Sequence, residues 1–381
     1  MEFTIRGPQE IVFGPGVIAQ LPERAATLGR RPLVVLGRGA LRASGRLDTL
    51  LTALEQAGLE PTLFEGIEHD PSVQTIDRGR NLFREASCDC VVAVGGGSVL
   101  DAGKAIAGLA REEAPTAEFV AGRAIQAESY PVIAAPTTAG TGSEVTHVAV
   151  LTDPDRRVKA SIRTAGMMPR VALVDPELTL SLPPETTAHT GLDAFVQAVE
   201  SYLSVGANPF SDALALDAAV RIGQWLRTAY HDGANKEARE QMACGSMMAG
   251  LALASARLGL VHGIAHPLGA LYGLPHGKAC ALLLPHVLEF NAPVCDAKMA
   301  QLARALGVSQ RASDVEAAYS LVVWARELCA ELGCWMPFRE FGLKEEDFEE
   351  IVAATLASGS TKSNPRKVKG DDVRRLLRAA M

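Results

Sequence analysis

The sequence of 381 residues lacks the composition of a disordered, nucleic-acid-binding or membrane-surface chain. Charged residues make up only 21% and hydrophobic residues 48%, which excludes disorder and indicates a sizeable buried interior. No block of lysine and arginine offsets the net charge of −7. Nucleic acid and anionic membranes are therefore not expected as main partners, and we expect a small-molecule partner instead.

The first residues do not have the features expected of a secretory leader, and no apolar run is long enough to span a bilayer. The first ten residues, MEFTIRGPQE, contain neither the basic nor the apolar region of a signal peptide, so we expect a cytoplasmic protein. The longest apolar run, 247–260, is interrupted by Arg257 well short of the roughly 20 residues that span a bilayer, and indicates a buried helix. The seven cysteines are scattered and odd in number, which favours a reducing compartment over a disulfide framework.

Short β-like runs alternate with amphipathic helical stretches in the first half of the chain. Strands are predicted at 31–37, 61–66, 90–96, 131–137 and 171–176, and helices at 47–58 and 75–86. This alternation predicts a parallel sheet covered by helices, in an α/β dinucleotide-binding domain of the Rossmann type. Beyond Leu182 the sequence changes to long Ala/Leu-rich helical segments. We therefore predict two domains, an α/β domain at 1–180 and an all-helical domain at 181–381.

Two glycine-rich turns follow apolar strands in the predicted α/β domain. The first turn consists of Gly95, Gly96, Gly97 and Ser98. It leads into a helix, whose N-terminal N–H groups and positive dipole end attract a pyrophosphate. The second turn, 136–144 (PTTAGTGSE), offers hydroxyls and amides that suit a ribose or a second phosphate. Ala105 stands where a Walker A loop has Ser or Thr, so a kinase or ATPase loses its main support.

Four of the eight histidines lie in the segment 257–286. His262 and His266 are one helical turn apart and share a face if this segment is helical. His276 follows in a Pro-His-Gly sequence, which we interpret as a loop that returns toward that face. One histidine in apolar surroundings is typically a hydrogen-bonded core residue, but several converging on one pocket predict a metal site.

Five motifs in order resemble the iron-containing (group III) alcohol dehydrogenase family over nearly the whole chain: GGGSVLDAGKA, PTTAGTGSEVT, HGIAHPLG, LPHG and ALLLPHVLEFN. The resemblance implies an α/β dinucleotide-binding domain, a helical domain and a catalytic metal in the cleft between them. It also implies hydride transfer between nicotinamide C4 and a small alcohol or aldehyde, in homodimers or larger assemblies. Two alternatives stay open, namely a maleylacetate reductase-like reductase of functionalised oxo acids and a cofactor-binding protein that has lost catalysis.

The resemblance also assigns cofactor-binding residues by motif. It implies that the turn from Gly95 to Ser98 and Asp101 hold the cofactor phosphates. The ribose and nicotinamide region would be lined by Thr137, Thr138 and Thr141, and Lys159 would also contact the cofactor.

The metal ligands implied by the resemblance include one departure from the family pattern. They are Asp193, His262, His276 and position 197, where this chain has Gln in place of His. An amide oxygen is a harder and weaker donor than an imidazole, so three hypotheses stay open. Gln197 ligates through its oxygen, a water replaces it, or the site is metal-poor; Fe²⁺ or Zn²⁺ is the ion that we expect. Asp193 and His266 are the predicted catalytic residues, with His266 as a proton shuttle.

The preference between the two nicotinamide cofactors can be predicted from charge. The strand at 31–37 ends in Gly37 and Arg38, with no carboxylate beside them. An acidic residue at this position binds the ribose hydroxyls of NAD, whereas an arginine attracts the 2′-phosphate of NADP. NAD-preferring family members often have Asp there, so we predict that NADP(H) is favoured over NAD(H).

Overall fold

The computed structural model describes residues 2–43 and 45–381, which form two compact units. The α/β unit contains residues 6–138 and 142–179. The helical unit contains residues 2–5, 139–141 and 180–381. This architecture confirms the fold class predicted from the sequence, a parallel α/β sheet followed by an all-helical region.

The α/β unit is built on a sheet of six parallel strands and a separate antiparallel hairpin. The strands are β1 (Glu10–Phe13), β2 (Pro32–Gly37), β3 (Thr62–Ile67), β4 (Cys90–Gly95), β5 (Val132–Pro136), β6 (Val148–Asp153), β7 (Val158–Arg163) and β8 (Val171–Val174). The helices are α1 (Leu21–Leu28), α2 (Ala40–Ala43), α3 (Arg46–Gln56), α4 (Val73–Glu85), α5 (Gly97–Leu109) and α6 (Thr116–Val120). The sheet order is β1-β8-β5-β4-β2-β3, and β6 pairs with β7.

Both faces of the sheet are buried, because alternate residues of each central strand enter different cores. Leu33 and Val35 of β2 belong to one hydrophobic cluster, and Val34 and Leu36 belong to another. The residues of β4 divide in the same way. Side chains point to opposite faces along a strand, so a sheet covered by helices on both sides needs uninterrupted apolar strands. This requirement explains the unbroken apolar runs in the sequence.

The strand order places a topological switch point between β2 and β4. These two strands are neighbours in parallel register, with Leu36 opposite Val94. The chain proceeds from β2 to β3 on one side and from β4 to β5 on the other. Ligands of open α/β sheets bind at the carboxyl ends of strands at such a point. Gly37 and Gly95, the last residues of these strands, lie at this edge.

The helical unit has a single core cluster formed by eight helices. They are α7 (Pro184–Leu203), α8 (Pro209–His231), α9 (Lys236–Ala256), α10 (Leu260–Tyr272), α11 (His276–Ala305), α12 (Asp314–Glu331), α13 (Phe348–Ala357) and α14 (Gly370–Ala380). All thirteen residues from Gly191 to Leu203 of α7 are buried, so this helix is enclosed on every side.

No single helix among the described residues is long and apolar enough to cross a membrane. The bent pair α9 and α10 passes this test of length and composition when both helices are taken together. These two helices meet at an angle of 103°.

Three local features differ from the sequence-based expectations. Neither β1 nor the β6–β7 hairpin was among the predicted strands. His276 was expected in a loop, but it is the first residue of α11. Pro275 precedes it as the N-cap, with an extended-type ψ of 127°. The Pro-His-Gly sequence therefore begins a helix, because the fixed φ of proline is compatible with a helix start.

Candidate functional site

Three buried polar residues lie on one face of helix α7. Asp193, Gln197 and Glu200 are spaced by four and three residues, which brings their side chains to the same side of the helix. All three are buried, with exposed fractions of 3 to 6%. The Nε2 atom of Gln197 donates a hydrogen bond of 3.1 Å to Asp193 Oδ2. This bond orients the Asp193 carboxylate and leaves its Oδ1 atom for another partner.

Glu200 holds the N-terminus of α10 and the first histidine of the predicted metal site. Its carboxylate accepts hydrogen bonds from the backbone N–H groups of Gly259 (3.0 Å) and Val261 (2.6 Å). A negative charge at this helix end is favourable, because N–H groups there have no partner within the helix. Its Oε2 atom also lies 2.7 Å from His262 Nδ1. If Nδ1 carries the hydrogen, His262 Nε2 presents a lone pair for a metal ion.

The start of α11 contributes two further donors, one turn apart. His276 and Cys280 are four residues apart and so project to the same side of the helix. The Sγ atom of Cys280 lies 3.7 Å from His276 Nε2 and 4.0 Å from His262 Nε2. Cys280 is fully buried, and burial raises the pKa of its thiol to about 12. Gly277 lies against the backbone of His189, where an added Cβ would be 2.0 Å from its carbonyl oxygen.

Four donor atoms from α7, α10 and α11 converge on one point. The donor atoms of Asp193, His262, His276 and Cys280 all lie within 4.8 Å of one another. Asp193 Oδ1 is 3.3 Å from His262 Nε2 and 3.7 Å from His276 Nε2. In the part of the chain that the structure describes, this oxygen and Gln197 Oε1 are buried without a hydrogen-bond partner.

A divalent cation fits this arrangement of donors. A buried carboxylate oxygen without a hydrogen-bond donor is unfavourable unless a cation faces it. One carboxylate and two imidazoles are common ligands of catalytic zinc and iron. The two histidines and Asp193 that the sequence singles out are therefore brought together as a metal site requires.

His266 lies beside the metal cluster of Asp193, His262, His276 and Cys280 but does not belong to it. It is half-buried on α10, one turn after His262. Its ring stacks on the ring of His276, with centroids 5.3 Å apart and an interplanar angle of 25°. The half-exposed ring of His266 therefore lies between the ring of His276 and solvent.

The first glycine-rich turn joins β4 to α5 as predicted. Gly95 ends the strand, and Gly97 and Ser98 begin the helix after Gly96 in an extended conformation. No side chain caps this helix end. The glycines allow close packing: a Cβ at Gly95 would lie 2.6 Å from Val99, and one at Gly96 would lie 3.3 Å from Thr138. The turn thus presents backbone N–H groups at the switch point of the sheet.

Lys159 is held next to this turn by an acidic residue. Its ammonium lies 2.8 Å from Asp70 Oδ1, and the backbone N–H of Asp70 donates to Ser98 Oγ at 3.2 Å. Burial disfavours the charged form of Asp70, but its contacts with His69 and Lys159 hold the pKa of this carboxyl well below its usual value. The tertiary structure therefore brings Lys159, in the hairpin, to the predicted phosphate turn.

Asp101 is bonded to the protein rather than directed at solvent. Its carboxylate accepts hydrogen bonds from the Ser143 hydroxyl and, at 2.9 Å, from the backbone N–H of Val150. It also lies 3.1 Å from the fully buried ammonium of Lys104. Burial lowers the pKa of Lys104, and burial raises the pKa of neighbouring Glu144 to about 7. This polar group fastens the second turn and the hairpin to α5.

The remaining predicted cofactor residues occupy turns. Gly37 is the last residue of β2, and Arg38 after it is exposed. Thr137 and Thr138 follow β5 and are half-buried, and the backbone N–H of Thr137 donates to Gly95 O at 2.9 Å. Thr141, also half-buried, belongs to the helical unit.

Sequence reasoning missed two residues at this site, the cluster member Cys280 and the His262 partner Glu200. Glu200 could have been found from its spacing of seven residues from Asp193, which repeats the same helical face. Cys280 could have been found from its spacing of four from His276, had that segment been interpreted as a helix. Neither signal is specific alone, because buried helices contain many such spacings.

Comparisons with known proteins agree along the whole chain. Residues 8–176 match the profile described as iron-containing alcohol dehydrogenase, and residues 187–381 match its C-terminal family profile. A solved structure of 1,3-propanediol oxidoreductase is 38% identical, with a TM-score of 0.95 and full coverage of both chains.

Two curated relatives have equally extensive matches. The NADPH-dependent butanol dehydrogenase of Clostridium saccharobutylicum is 34% identical, over 99% of this chain and 97% of the relative. The NAD-dependent methanol dehydrogenase of Bacillus methanolicus is 33% identical, over 98% of each. These relatives fit the alcohol dehydrogenase interpretation and give no support to an oxo-acid reductase or to loss of catalysis. The chain therefore belongs to the iron-containing alcohol dehydrogenase family and is an oxidoreductase of alcohols that uses a nicotinamide cofactor and a divalent metal.

Proposed function

We propose that this enzyme interconverts a small alcohol and its aldehyde with a divalent ion held by Asp193, His262 and His276. The observation that supports this proposal is the convergence of these donors around a buried carboxylate oxygen without a hydrogen-bond donor. A bound ion would supply Lewis acidity, which favours ionisation of an alcohol hydroxyl or polarises a carbonyl. Residues 181–381 would form the metal-binding domain, and residues 1–180 would hold the cofactor.

The protein's own residues prepare this site in two ways. Glu200 fixes the ring of His262, and Gln197 fixes the carboxylate of Asp193. Such outer contacts keep ligands in one orientation before an ion binds. Alcohol oxidation also releases the hydroxyl proton. His266, stacked on His276 and half-exposed, would pass that proton to solvent.

Metal analysis tests this function directly. Protein purified without chelators should contain about one divalent ion per chain. Chelation should abolish alcohol oxidation with a nicotinamide cofactor, and re-addition of a single kind of ion should restore it. Full activity in metal-free protein would refute the proposed role of Asp193, His262 and His276.

We further propose that the cofactor phosphates bind at the turn from Gly95 to Ser98, next to Lys159. The N-terminal N–H groups of α5, which no side chain caps, and the nearby ammonium both suit phosphate. Thr137, Thr138 and Thr141 would line the ribose and nicotinamide region. Because the Asp101 oxygens are bonded to the protein, Asp101 would act by holding the second turn in place.

We propose that NADP(H) is preferred because Arg38 follows Gly37 at the switch point. The neighbouring strand β3 leads to two carboxylates, Glu68 and Asp70. Glu68 accepts hydrogen bonds from Ser72 and Thr75, and Asp70 pairs with Lys159. Both acidic side chains therefore have protein partners, while the exposed guanidinium of Arg38 can meet a 2′-phosphate.

The cofactor preference can be measured by comparing kcat/KM for NADPH and NADH. Arg38→Ser should lower kcat/KM for NADPH by about 10- to 100-fold, the effect of losing one charge-assisted contact. The value for NADH should change little. Arg311→Ser, an exposed arginine of the helical unit, is the matched control. A wild-type preference for NADH would contradict the proposal.

We also propose a homodimer or larger homo-oligomer in the cytoplasm. Phe3 and Ile5 are 44% and 48% exposed, and such apolar side chains suit an interface between copies. All seven cysteines are free thiols, which fits a reducing compartment. Sedimentation equilibrium measures the subunit number, and a monomer at micromolar concentration would contradict the first part.

A further inference from the structure

The position of Cys280 points to a donor that the family pattern does not include. Its sulfur is fully buried and lies close to both imidazoles of the cluster. One thiol hydrogen cannot serve both rings, and it leaves Asp193 Oδ1 without a donor. The hydrogen bonds within the cluster therefore leave Asp193 Oδ1, which lies 3.3 Å from His262 Nε2, without a donor as long as His262 is neutral.

Four of the six separations between donor atoms are close to those around a tetrahedral ion, and all six are within 4.8 Å. Zinc–nitrogen and zinc–oxygen bonds of about 2.05 Å and zinc–sulfur bonds of about 2.3 Å place neighbouring N and O donors about 3.3 Å apart. Nitrogen and sulfur donors are then about 3.6 Å apart. Asp193 Oδ1 lies 3.3 and 3.7 Å from the two imidazole nitrogens. The sulfur lies 3.7 and 4.0 Å from them. An ion would need to draw these donors together by only a few tenths of an ångström.

Gln197 contacts the cluster through one of its members, Asp193. Its Nε2 atom is hydrogen-bonded to Asp193 Oδ2, the carboxylate oxygen on the side away from the short imidazole contact. The carboxamide therefore orients a ligand. Its remaining oxygen is a weaker donor toward late transition metals than a thiolate.

We propose that Cys280, as a thiolate, is the fourth protein ligand of the ion, with Gln197 positioning Asp193, and that this set of donors favours zinc over iron. Binding forms the metal–sulfur bond and releases the thiol proton to solvent. Thiolate favours Zn²⁺ over Fe²⁺ because Zn²⁺ is the softer ion and binds sulfur donors more tightly. This inference rests on the proposed metal site, but a different experimental result would refute each of the two.

Cobalt substitution tests the ligand by spectroscopy, independently of activity. The full-length protein is stripped and loaded with Co²⁺, and the near-ultraviolet absorption band from thiolate-to-cobalt charge transfer is recorded with the metal content. Wild type and the control Cys329→Ala should bind one ion and show the band. Cys329 is equally buried, but its sulfur contacts the carbonyl of Ala281 instead of the cluster.

Three variants distinguish the loss of a metal ligand from a change in a neighbouring residue. Cys280→Ala and Cys280→Ser should both lose the band, and Co²⁺ affinity should fall by more than the roughly 10- to 100-fold typical of outer-shell changes. Gln197→Ala should keep the band. In competition under anaerobic conditions, the ratio of bound Zn²⁺ to Fe²⁺ should fall in Cys280→Ser relative to wild type. Circular dichroism checks that each variant is folded.

The outcomes distinguish the two proposals. If wild type binds Co²⁺ without the band, or if Cys280→Ala keeps the band, Cys280 is not a ligand and only the present inference fails. If wild type binds no Co²⁺, Zn²⁺ or Fe²⁺, the metal site itself is refuted together with the proposed function.

Discussion

Replacing Glu200 by Gln should weaken metal binding, although Glu200 itself is not among the proposed ligands. The wild-type carboxylate accepts three hydrogen bonds, from the N–H groups of Gly259 and Val261 and from His262 Nδ1. Gln has the same size, but its NH₂ group cannot accept. At least one of these donors loses its acceptor, and the ring of His262 is no longer held by a charge.

The magnitude follows from the contacts that are lost. Loss of an outer-shell carboxylate typically lowers metal affinity about 10- to 100-fold, equivalent to about 1.4–2.7 kcal/mol. Loss of one hydrogen bond to a charged group should lower the free energy of unfolding of the metal-free protein by about 1.5–3 kcal/mol. Both effects are expected because the carboxylate is only 6% exposed and solvent cannot replace its contacts.

Metal affinity is measured by competition with a chromophoric chelator, and the free energy of unfolding by urea titration of the metal-free protein. Glu331→Gln is the matched control. Its carboxylate is 41% exposed and pairs with Arg227, so we expect the free energy of unfolding to fall by less than about 1 kcal/mol and the metal affinity to stay unchanged. A Glu200→Gln protein whose metal affinity stays within twofold of wild type would refute the role assigned to this contact.

Three further predictions concern pH, packing and proton transfer. Burial raises the pKa of Glu144 from 4.5 to about 7; unfolding therefore releases a proton between these pH values, and stability falls as pH rises through that window. Glu144→Gln should remove this pH dependence and raise the free energy of unfolding by up to about 3 kcal/mol above pH 7. Urea titration from pH 4.5 to 8 measures both effects, and an unchanged pH profile of stability would contradict the assignment. Gly277→Ala places a Cβ against the backbone of His189, so it should lower the free energy of unfolding by about 1–3 kcal/mol and weaken metal binding. The control Gly359→Ala, with open space around the added Cβ, should change neither quantity in the same assays. His266→Ala should flatten the pH dependence of kcat for alcohol oxidation, and an unchanged profile would assign this ring a structural role.

The α/β architecture was predictable because its signals are local. Buried parallel strands need apolar residues on both faces, so β2, β4 and β5 appear as continuous runs, and glycines mark the turns at their ends. The hairpin was harder to identify. Its strand β6 alternates between half-buried and buried residues, and all residues of β7 except Ile162 are half-buried or exposed. A four-residue strand such as β1 has too few residues to establish a period.

For the site, motif resemblance identified Asp193, His262 and His276 as candidates, and their convergence needed the packing of three helices. Glu200 and His262 are 62 residues apart in the chain, so their hydrogen bond has no local signal. The contact between Cys280 and His262 also has no local signal. Its sequence context is that of an ordinary core cysteine, and only the approach of α11 to α10 brings its sulfur to the imidazole of His262.

The order of amino acids was thus sufficient for five of the eight strands, the glycine turns, the helical second half and the family. These depend on periodicity, backbone freedom and motif spacing, which act over a few residues. The partners of each buried charge depended on the folded chain. A carboxylate such as Glu200 can be satisfied by any donor that packing brings within about 3 Å, and that choice is made by the arrangement of α7, α10 and α11 in space.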